Sequence, residues 1–325
     1  MKKSETVVFG FLFLLLAGLL FALPLRAAQE LVPIYTPPAG GTAYVLGAGI
    51  ATVTNKFLPD AYIVHEGSTG TMEMVRKMMQ RQEAKKPCFA VFGAPDAWNA
   101  YKGNNEYKGR PFTGVRAVAF VNDSDQYFVV PAKSPIKSFA DVKGKRLGIG
   151  GPGSTVSTSF LLVLEYYGIT KKDFKPYYYT YKEALEGIQD GSLDGGLVGG
   201  GYPVSAYVEL STIHNVRIVP VDEEILRKVS KDHPYFYRNV VKAKSYRGIE
   251  QDTTIYGFTS AIFTHSGVSD DFVYKFTRNL FEHRNDYYAI HRSAKDLTPE
   301  TATKGIPVPF HPGAEKYLRE ISAFK

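Results

Sequence analysis

Three turns bring together the residue types that bind anions. Gly40-Gly41-Thr42, Ser68-Thr69-Gly70-Thr71 and Gly150-Gly151-Pro152-Gly153-Ser154-Thr155 each join glycine to hydroxyl side chains. Glycine lets a backbone come close to a ligand, and a hydroxyl both donates and accepts. Where such a turn opens a helix, the first amides lack partners and the dipole presents its positive end, which suits a carboxylate or phosphate. Simple capping by Ser154 accounts for the third turn equally well. The same stretch spells Gly148-Ile149-Gly150-Gly151-Pro152-Gly153, formally a G-x-G-x-x-G. A dinucleotide reading fails here. Pro152 stiffens the turn that would hug a pyrophosphate, and the next strand, 174–179, ends without an acid for a ribose.

No other constellation carries chemistry. The seven histidines, at 65, 214, 233, 265, 283, 291 and 311, show no metal-ligand spacing; His283 and His291, eight apart, read as surface residues of a helical stretch. Cys88 sits in apolar sequence and reads as buried and inert. Neither G-x-S-x-G nor S-x-x-K surrounds Ser154, so nucleophilic hydrolysis has no support. Tyr178-Tyr179-Thr180-Tyr181 fits a cleft lining or simple strand packing. These observations predict no catalytic set, no metal and no cofactor.

Alternating strands and helices must position the three turns. Strands are expected at 30–35, 61–65 and 89–93, with helices over 45–55, 71–84 and 96–101. Two extended runs, 115–121 and 126–130, follow, the second crossing into another lobe. That lobe reads as strand 145–150, helix 155–167, strand 174–179, helix 181–189 and strand 195–199. A β-rich stretch, 253–263, returns the chain, and helices over 270–283 and 314–321 finish it. The pattern predicts βαβ units on a largely parallel sheet. Two α/β lobes joined by two crossing segments make a hinge with a cleft, and ligands in such sheets sit at the carboxyl ends of the strands.

The 325 residues favour two lobes over one domain. Hydrophobic content of 44% and charged content of 22% exclude disorder and a multi-span membrane protein. Lys2 and Lys3, the apolar run Val7–Leu23, Pro24 and the small Ala27 and Ala28 describe a secretory signal, residues 1–27, cleaved after Ala27; an uncleaved anchor is the alternative. Of the net charge of +7, two units belong to that segment. The remaining basic residues are scattered among acids, as in Lys143-Gly144-Lys145-Arg146, which argues against nucleic-acid binding. A single cysteine leaves no disulfide framework.

Taken in order, these segments resemble the TAXI type of TRAP-transporter solute-binding protein (TRAP-associated extracytoplasmic immunogenic protein). The resemblance runs from about Val32 to Phe324. It rests on Gly40-Gly41-Thr42-Ala43-Tyr44-Val45-Leu46-Gly47 for G-G-T-Y-Y-P-L-G and Ser68-Thr69-Gly70-Thr71-Met72-Glu73 for T-G-G-S-V-E. Asp96-Ala97-Trp98-Asn99-Ala100-Tyr101 and Asp141-Val142-Lys143-Gly144-Lys145-Arg146 follow, then Gly150-Gly151-Pro152-Gly153-Ser154 for G-A-P-G-S. Gly191-Ser192-Leu193-Asp194-Gly195, Gly200-Gly201-Tyr202-Pro203 and His311-Pro312-Gly313-Ala314-Glu315-Lys316-Tyr317 complete the series.

The resemblance implies a type II-like, two-lobed periplasmic binding protein with a hinge of crossing strands. Residues 28–127 and 256–325 would form one lobe and 128–255 the other. It implies a monomeric, non-enzymatic receptor in the periplasm that delivers a small organic anion to a TRAP-type permease. A receptor for an ABC importer, or a sensor docking to a membrane signalling protein, is the alternative. Candidate ligand-binding residues are Gly41, Thr42 and Tyr44 from the first turn and Ser68, Gly70 and Thr71 from the second. Gly93 follows the third strand, Gly153, Ser154 and Thr155 come from the other lobe, and Tyr202 closes the far wall. Three positions depart from the pattern: Gly93-Ala94 replaces Gln-Ser, Met74 replaces Asn, and Thr155-Val156 replaces Gly-Thr. These changes predict a less polar pocket and a carboxylate without an α-amino group, bulkier or aromatic ones included, rather than glutamate.

Overall fold

A computed structural model describes residues 29–324, so the export-signal reading of 1–27 lies outside the described residues. The first half opens with β1 (Glu30–Thr36), α1 (Thr42–Thr54), β2 (Ala61–Gly67), α2 (Thr71–Glu83), β3 (Phe89–Gly93) and α3 (Ala94–Lys102). β1 pairs in parallel with both β2 and β3. All five residues of β3 are buried, as expected of a strand covered on both faces.

The two extended runs expected around 115–130 are one strand, β4 (Val115–Pro131), of 17 residues. The polar stretch Asn122-Asp123-Ser124-Asp125 reads as a break in the sequence, yet its backbone stays paired with β10 (Thr253–His265) from Ser260 to Gly257. Partners meet its two carboxylates. Tyr237 and Asn239 donate to Asp125 at 3.2 and 3.0 Å, and Lys304 reaches Asp123 at 2.6 Å.

Beyond the crossing come β5 (Arg146–Gly148), α4 (Thr155–Glu165), β6 (Lys175–Tyr177), α5 (Tyr181–Gln189) and β7 (Gly195–Gly200). Parallel pairing of β5 with β6 and with β7 repeats the first half's arrangement. Four elements between 203 and 250 went unread in the sequence: α6 (Ser205–Ile213), β8 (Val216–Val219), α7 (Glu223–Asp232) and β9 (Phe236–Val241). The reason is a thin apolar signal. α7 buries only Leu226 and Val229, and β8 has four residues. After β10 come α8 (Asp270–Glu282), the short α9 (Arg284–Tyr288) and α10 (Pro312–Glu320). His283 and His291 therefore do not share a helix. His283 separates α8 from α9 and stacks on Phe57 at 3.4 Å, and half-buried His291 caps a 3₁₀ turn.

The strands form one sheet in the order β2-β1-β3-β10-β4-β7-β5-β6, with β8 beside β4 and β9 beside β10. The antiparallel pair β4–β10 is its spine, and both strands continue from one half into the other. On one side lies a core that includes Val32, Ile34, Phe89, Val121, Phe276 and Leu280. On the other, Phe128, Phe139, Phe160, Val163, Phe236 and Phe258 pack together. Among the described residues no helix is long and apolar enough to cross a membrane.

Phe160 is fully buried, with Phe128 and Phe139 within 5.6 Å between ring centres. Phe160→Ala should cost about 3–5 kcal/mol of stability, read as a lower urea midpoint. A midpoint equal to the parent's would show that this cluster does not hold the second half together.

Candidate functional site

Every strand–helix junction of the two βαβ arrays opens at one edge of the sheet, and the junctions face each other across a cavity of about 160 Å³. Pro37–Pro38 and Gly41–Ala43 come from the β1–α1 loop, Thr69–Thr71 from β2–α2, and Phe92–Gly93 from β3–α3. The opposite wall holds Gly150–Gly151 and Ser154–Val156 before α4, Tyr179–Tyr181 before α5, and Gly199–Gly200 at the end of β7. Ser124 of β4, with Phe258 and Ser260 of β10, completes the wall from the crossing strands. Larger surface hollows occur elsewhere, such as one of about 800 Å³ lined by Asp60, Lys85, Asp271, Lys275 and Arg278. They lack this convergence of junctions.

Among the described residues no charged side chain lines the cavity. Its donors are backbone and hydroxyl. α1, α2 and α3 start behind Gly41, Gly70 and Gly93, none of which supplies a side-chain cap. The first amides of these helices have no acceptor in their own helix, although α3 offers one fewer because Pro95 has no N–H, and each N-terminus carries roughly half a positive charge. Ser154 does cap α4, its Oγ accepting from Ser157 N at 3.2 Å, which is the simple reading of that turn. Its hydroxyl hydrogen stays available to a ligand. Two other hydroxyls are committed. Thr180 Oγ1 donates to Glu183 and accepts its amide, and Thr69 donates through both N and Oγ1 to Glu73 at 2.7 Å. Those amide and hydroxyl donors, with Lys77, hold the Glu73 carboxyl down to about 2. Burial pushes the Tyr181 phenol well above its usual range, so the ring faces the cavity neutral.

Of the candidate residues, Gly41, Thr42, Gly70, Thr71, Gly93, Ser154 and Thr155 come together at this cavity. Four sit elsewhere. Tyr44 packs edge-on against His65 with ring centres 4.5 Å apart. The Ser68 hydroxyl is buried and donates to Thr36 O at 2.7 Å. Gly153 has φ +63, a left-handed conformation that favours glycine, and a Cβ there would overlap Met72 Sδ across the interface. Tyr202 is 37% exposed, with the Arg292 guanidinium 4.9 Å from its ring centre. Of the three departures, Met74 is fully buried in the core with Phe92 and Phe263, so it does not alter the pocket. The sequence reading missed Phe92, Ser124, Gly199, Phe258 and Ser260. They come from strand interiors, and only the pairing of β3, β4, β7 and β10 aims them at the cavity.

The two walls meet through glycine. Cβ atoms built at Gly70 and Gly151 would stand 3.6 Å from Pro152 O and 3.7 Å from Thr69 O, and those at Gly93 and Gly200 would overlap Thr155 and Thr42. The hydroxyls of Thr71 and Thr155 lie 3.3 Å apart across this seam. Beneath them Asp96, 2% exposed, accepts from Thr155 Oγ1 at 2.6 Å and from Thr158 Oγ1 at 3.0 Å. Burial pushes its carboxyl up to about 6 against the pull of Thr155, Thr158 and Thr71. Cys88 is also buried, its thiol pushed up to about 12 by burial, in keeping with an inert core residue.

A sequence model of the NMT1-like family matches residues 34–321. Among solved structures, MatC from Rhodopseudomonas palustris with bound malate superposes with a TM-score of 0.56 at 16% identity, covering 91% of this chain and 97% of that one. XAC2383 from Xanthomonas citri bound to ATP gives 0.51 at 10% identity, with 91% and 96% covered. The periplasmic aliphatic sulphonate binding protein SsuA from Escherichia coli gives 0.48 at 17% identity, with 90% and 79% covered. At these identities the likeness concerns the fold, and the fold is the two-lobed α/β architecture expected of a periplasmic binding protein.

Two measurements follow from this geometry. A Cβ at position 151 would already touch Thr69 O at 3.7 Å, so the bulk of Gly151→Phe should push the walls apart at about 1–3 kcal/mol. Its radius of gyration in solution scattering should exceed the parent's and its melting temperature should fall; identical scattering would mean that the walls do not close at this seam. The second concerns Asp96, whose folded value near 6 lies above its unfolded one. The stability tied to its neutral form is complete at low pH and is lost as pH rises towards 6, then stays level. Asp96→Asn cannot ionise, so between pH 4.5 and 7 its urea midpoint should rise relative to the parent's. Parallel curves would show that Asp96 does not titrate in that window.

Proposed function

The chain belongs to the NMT1-like family, and from that premise we propose that it is an exported receptor of the TAXI type. It closes two lobes on a small organic anion and hands it to a TRAP-type membrane permease. The observation that carries this reading is the cavity itself. Helix N-termini and unspent hydroxyls converge on a space with no charged side chain, bounded by Phe92, Val156, Tyr179, Tyr181 and Phe258. A carboxylate gains from the amides and dipoles, while its body meets aromatic and aliphatic walls. The lining holds no acid to pair with an ammonium, which favours an acid without an α-amino group over glutamate. The Thr155 hydroxyl does meet the Asp96 carboxylate, but no histidine or lysine among the described residues lines the space to carry a proton onward, which favours capture over turnover. At about 160 Å³ the space is smaller than the roughly 300–1,000 Å³ of drug-sized sites, so the ligand is small.

The lobes are assigned as 28–127 with 256–325, and 128–255. In support, one pair of core clusters draws on residues 32–121 and 261–323, and the other, Ala94 aside, on 127–258. The ligand-binding set narrows to Gly41, Thr42, Gly70, Thr71, Gly93, Ser154 and Thr155, joined by Tyr179, Tyr181 and Ser124.

A thermal-shift panel of malate, 2-oxoglutarate, benzoate and glutamate tests the reading. An anion present at 100 times its dissociation constant adds about 2.7 kcal/mol of stability. Acids without the amino group should raise the melting temperature and glutamate should not; a shift with glutamate alone would sink the ligand class. Thr71→Ala and Ser154→Ala each remove a hydroxyl and should weaken binding roughly tenfold or more, the worth of one hydrogen bond to a charged group. Unchanged affinity in both would move the site elsewhere.

A further inference from the structure

Asp96 is a buried carboxylate whose contacts are hydroxyls rather than a cation. Thr155 and Thr158 reach it from α4, and Thr71 faces Thr155 from α2. The titratable groups set against it from other elements are Glu106, which repels its charge, and the phenols of Tyr107 and Tyr235, which burial keeps protonated. Thr71 and Thr155 are also cavity-lining residues, so the same two hydroxyls serve the buried acid and the cleft.

Each hydroxyl has one hydrogen to place. When Asp96 is ionised it only accepts, and the short 2.6 Å contact takes the hydrogen of Thr155. Thr155 then offers lone pairs alone, which draw the Thr71 hydrogen across the 3.3 Å gap. Both hydroxyls present oxygen to the cavity, a face that repels an anion. When Asp96 carries a proton its own O–H supplies one of these bonds, and the hydrogens of Thr155 and Thr71 turn towards the cavity.

We propose that Asp96 is a specificity-determining residue that makes anion capture proton-linked: the cleft takes up one solvent proton on the Asp96 carboxyl together with its anion, relayed by Thr155 and Thr71. This rests on the anion-receptor reading of the same cleft. No other bond is made or broken, and the proton returns to solvent when the anion leaves. Thr158 anchors the carboxyl on its far side. Its hydroxyl also lies within 3.1 Å of Ser154 O, so it has an alternative acceptor when Asp96 turns donor.

Calorimetry with 2-oxoglutarate and with benzoate between pH 5 and 8 tests this, in two buffers of different ionisation enthalpy so that protons are counted. In the parent, affinity should fall as pH rises beyond about 6, with a slope approaching tenfold per pH unit for one linked proton. Proton uptake should approach one per anion at pH 7. Asp96→Asn should bind with a flat profile and no uptake, and Thr155→Val, which keeps the acid but cuts the relay, should also lose the slope. Melting curves confirm that each variant is folded, and Thr155→Val carries the test if Asp96→Asn is not. Binding by the parent without a pH slope, or a slope that survives in folded variants, overturns the role of Asp96 and leaves the receptor reading intact. If neither anion binds the parent at any pH, the receptor reading falls and the proton link falls with it.

Discussion

The whole arrangement depends on one pairing, that of β4 with β10. Each strand serves two cores, so the two halves share a spine instead of a flexible tether. Because the βαβ arrays on either side present their strand ends towards the same line, six junctions arrive at one place. The pairing is irregular where it matters, with register shifts at Ser260–Ala261 and Ile262–Phe263. A bulge bends its strand and increases twist, and here it lies where the sheet passes from one core to the other. Ser124 and Ser260 stand at that passage and reach the cavity. The strands that cross between the halves therefore also supply part of the cavity wall.

Polarity in the cleft is organised by economy of charge. A cationic side chain would bind an anion more strongly, but burying it in an apolar site carries a desolvation penalty and fixes its charge. Backbone amides at helix starts avoid both problems, since they are neutral, oriented by the helix and already lacking partners. The hydroxyls divide into two kinds. Those of Thr69 and Thr180 are locked into glutamates and stiffen the loops. Those of Ser154, Thr155 and Thr71 remain adjustable.

Much of this was legible in the sequence, for physical reasons that can be named. The three glycine–hydroxyl turns were visible because close backbone approach and helix starts demand those residue types, and each of them proved to stand at a helix N-terminus. The helix 181–189 was read to the residue, since Thr180 and Glu183 form a capping box. The stretch 203–250 was not, because its elements bury few side chains apiece. β4 was split in two by its polar middle, whose partners Tyr237, Asn239 and Lys304 lie over a hundred residues away in the chain. Tyr44, Ser68, Gly153 and Tyr202 lie next to motif residues in the chain but do not line the cavity. Asp96 was quoted only as part of a motif. A lone aspartate at a helix start looks like a favourable charge near a dipole, and only tertiary packing reveals that it is sealed under two threonines.

The uncapped starts of α1, α2 and α3 bear on how the protein can change. A donor written in the backbone is not altered when the side chain at its position is exchanged. On the proposed reading, specificity can drift through Phe92, Val156, Tyr179 and Phe258 while the grip on a carboxylate persists. An alanine scan of this cleft would report its walls and remain blind to the backbone donors, and two chains that capture an anion in the proposed way could have few lining side chains in common.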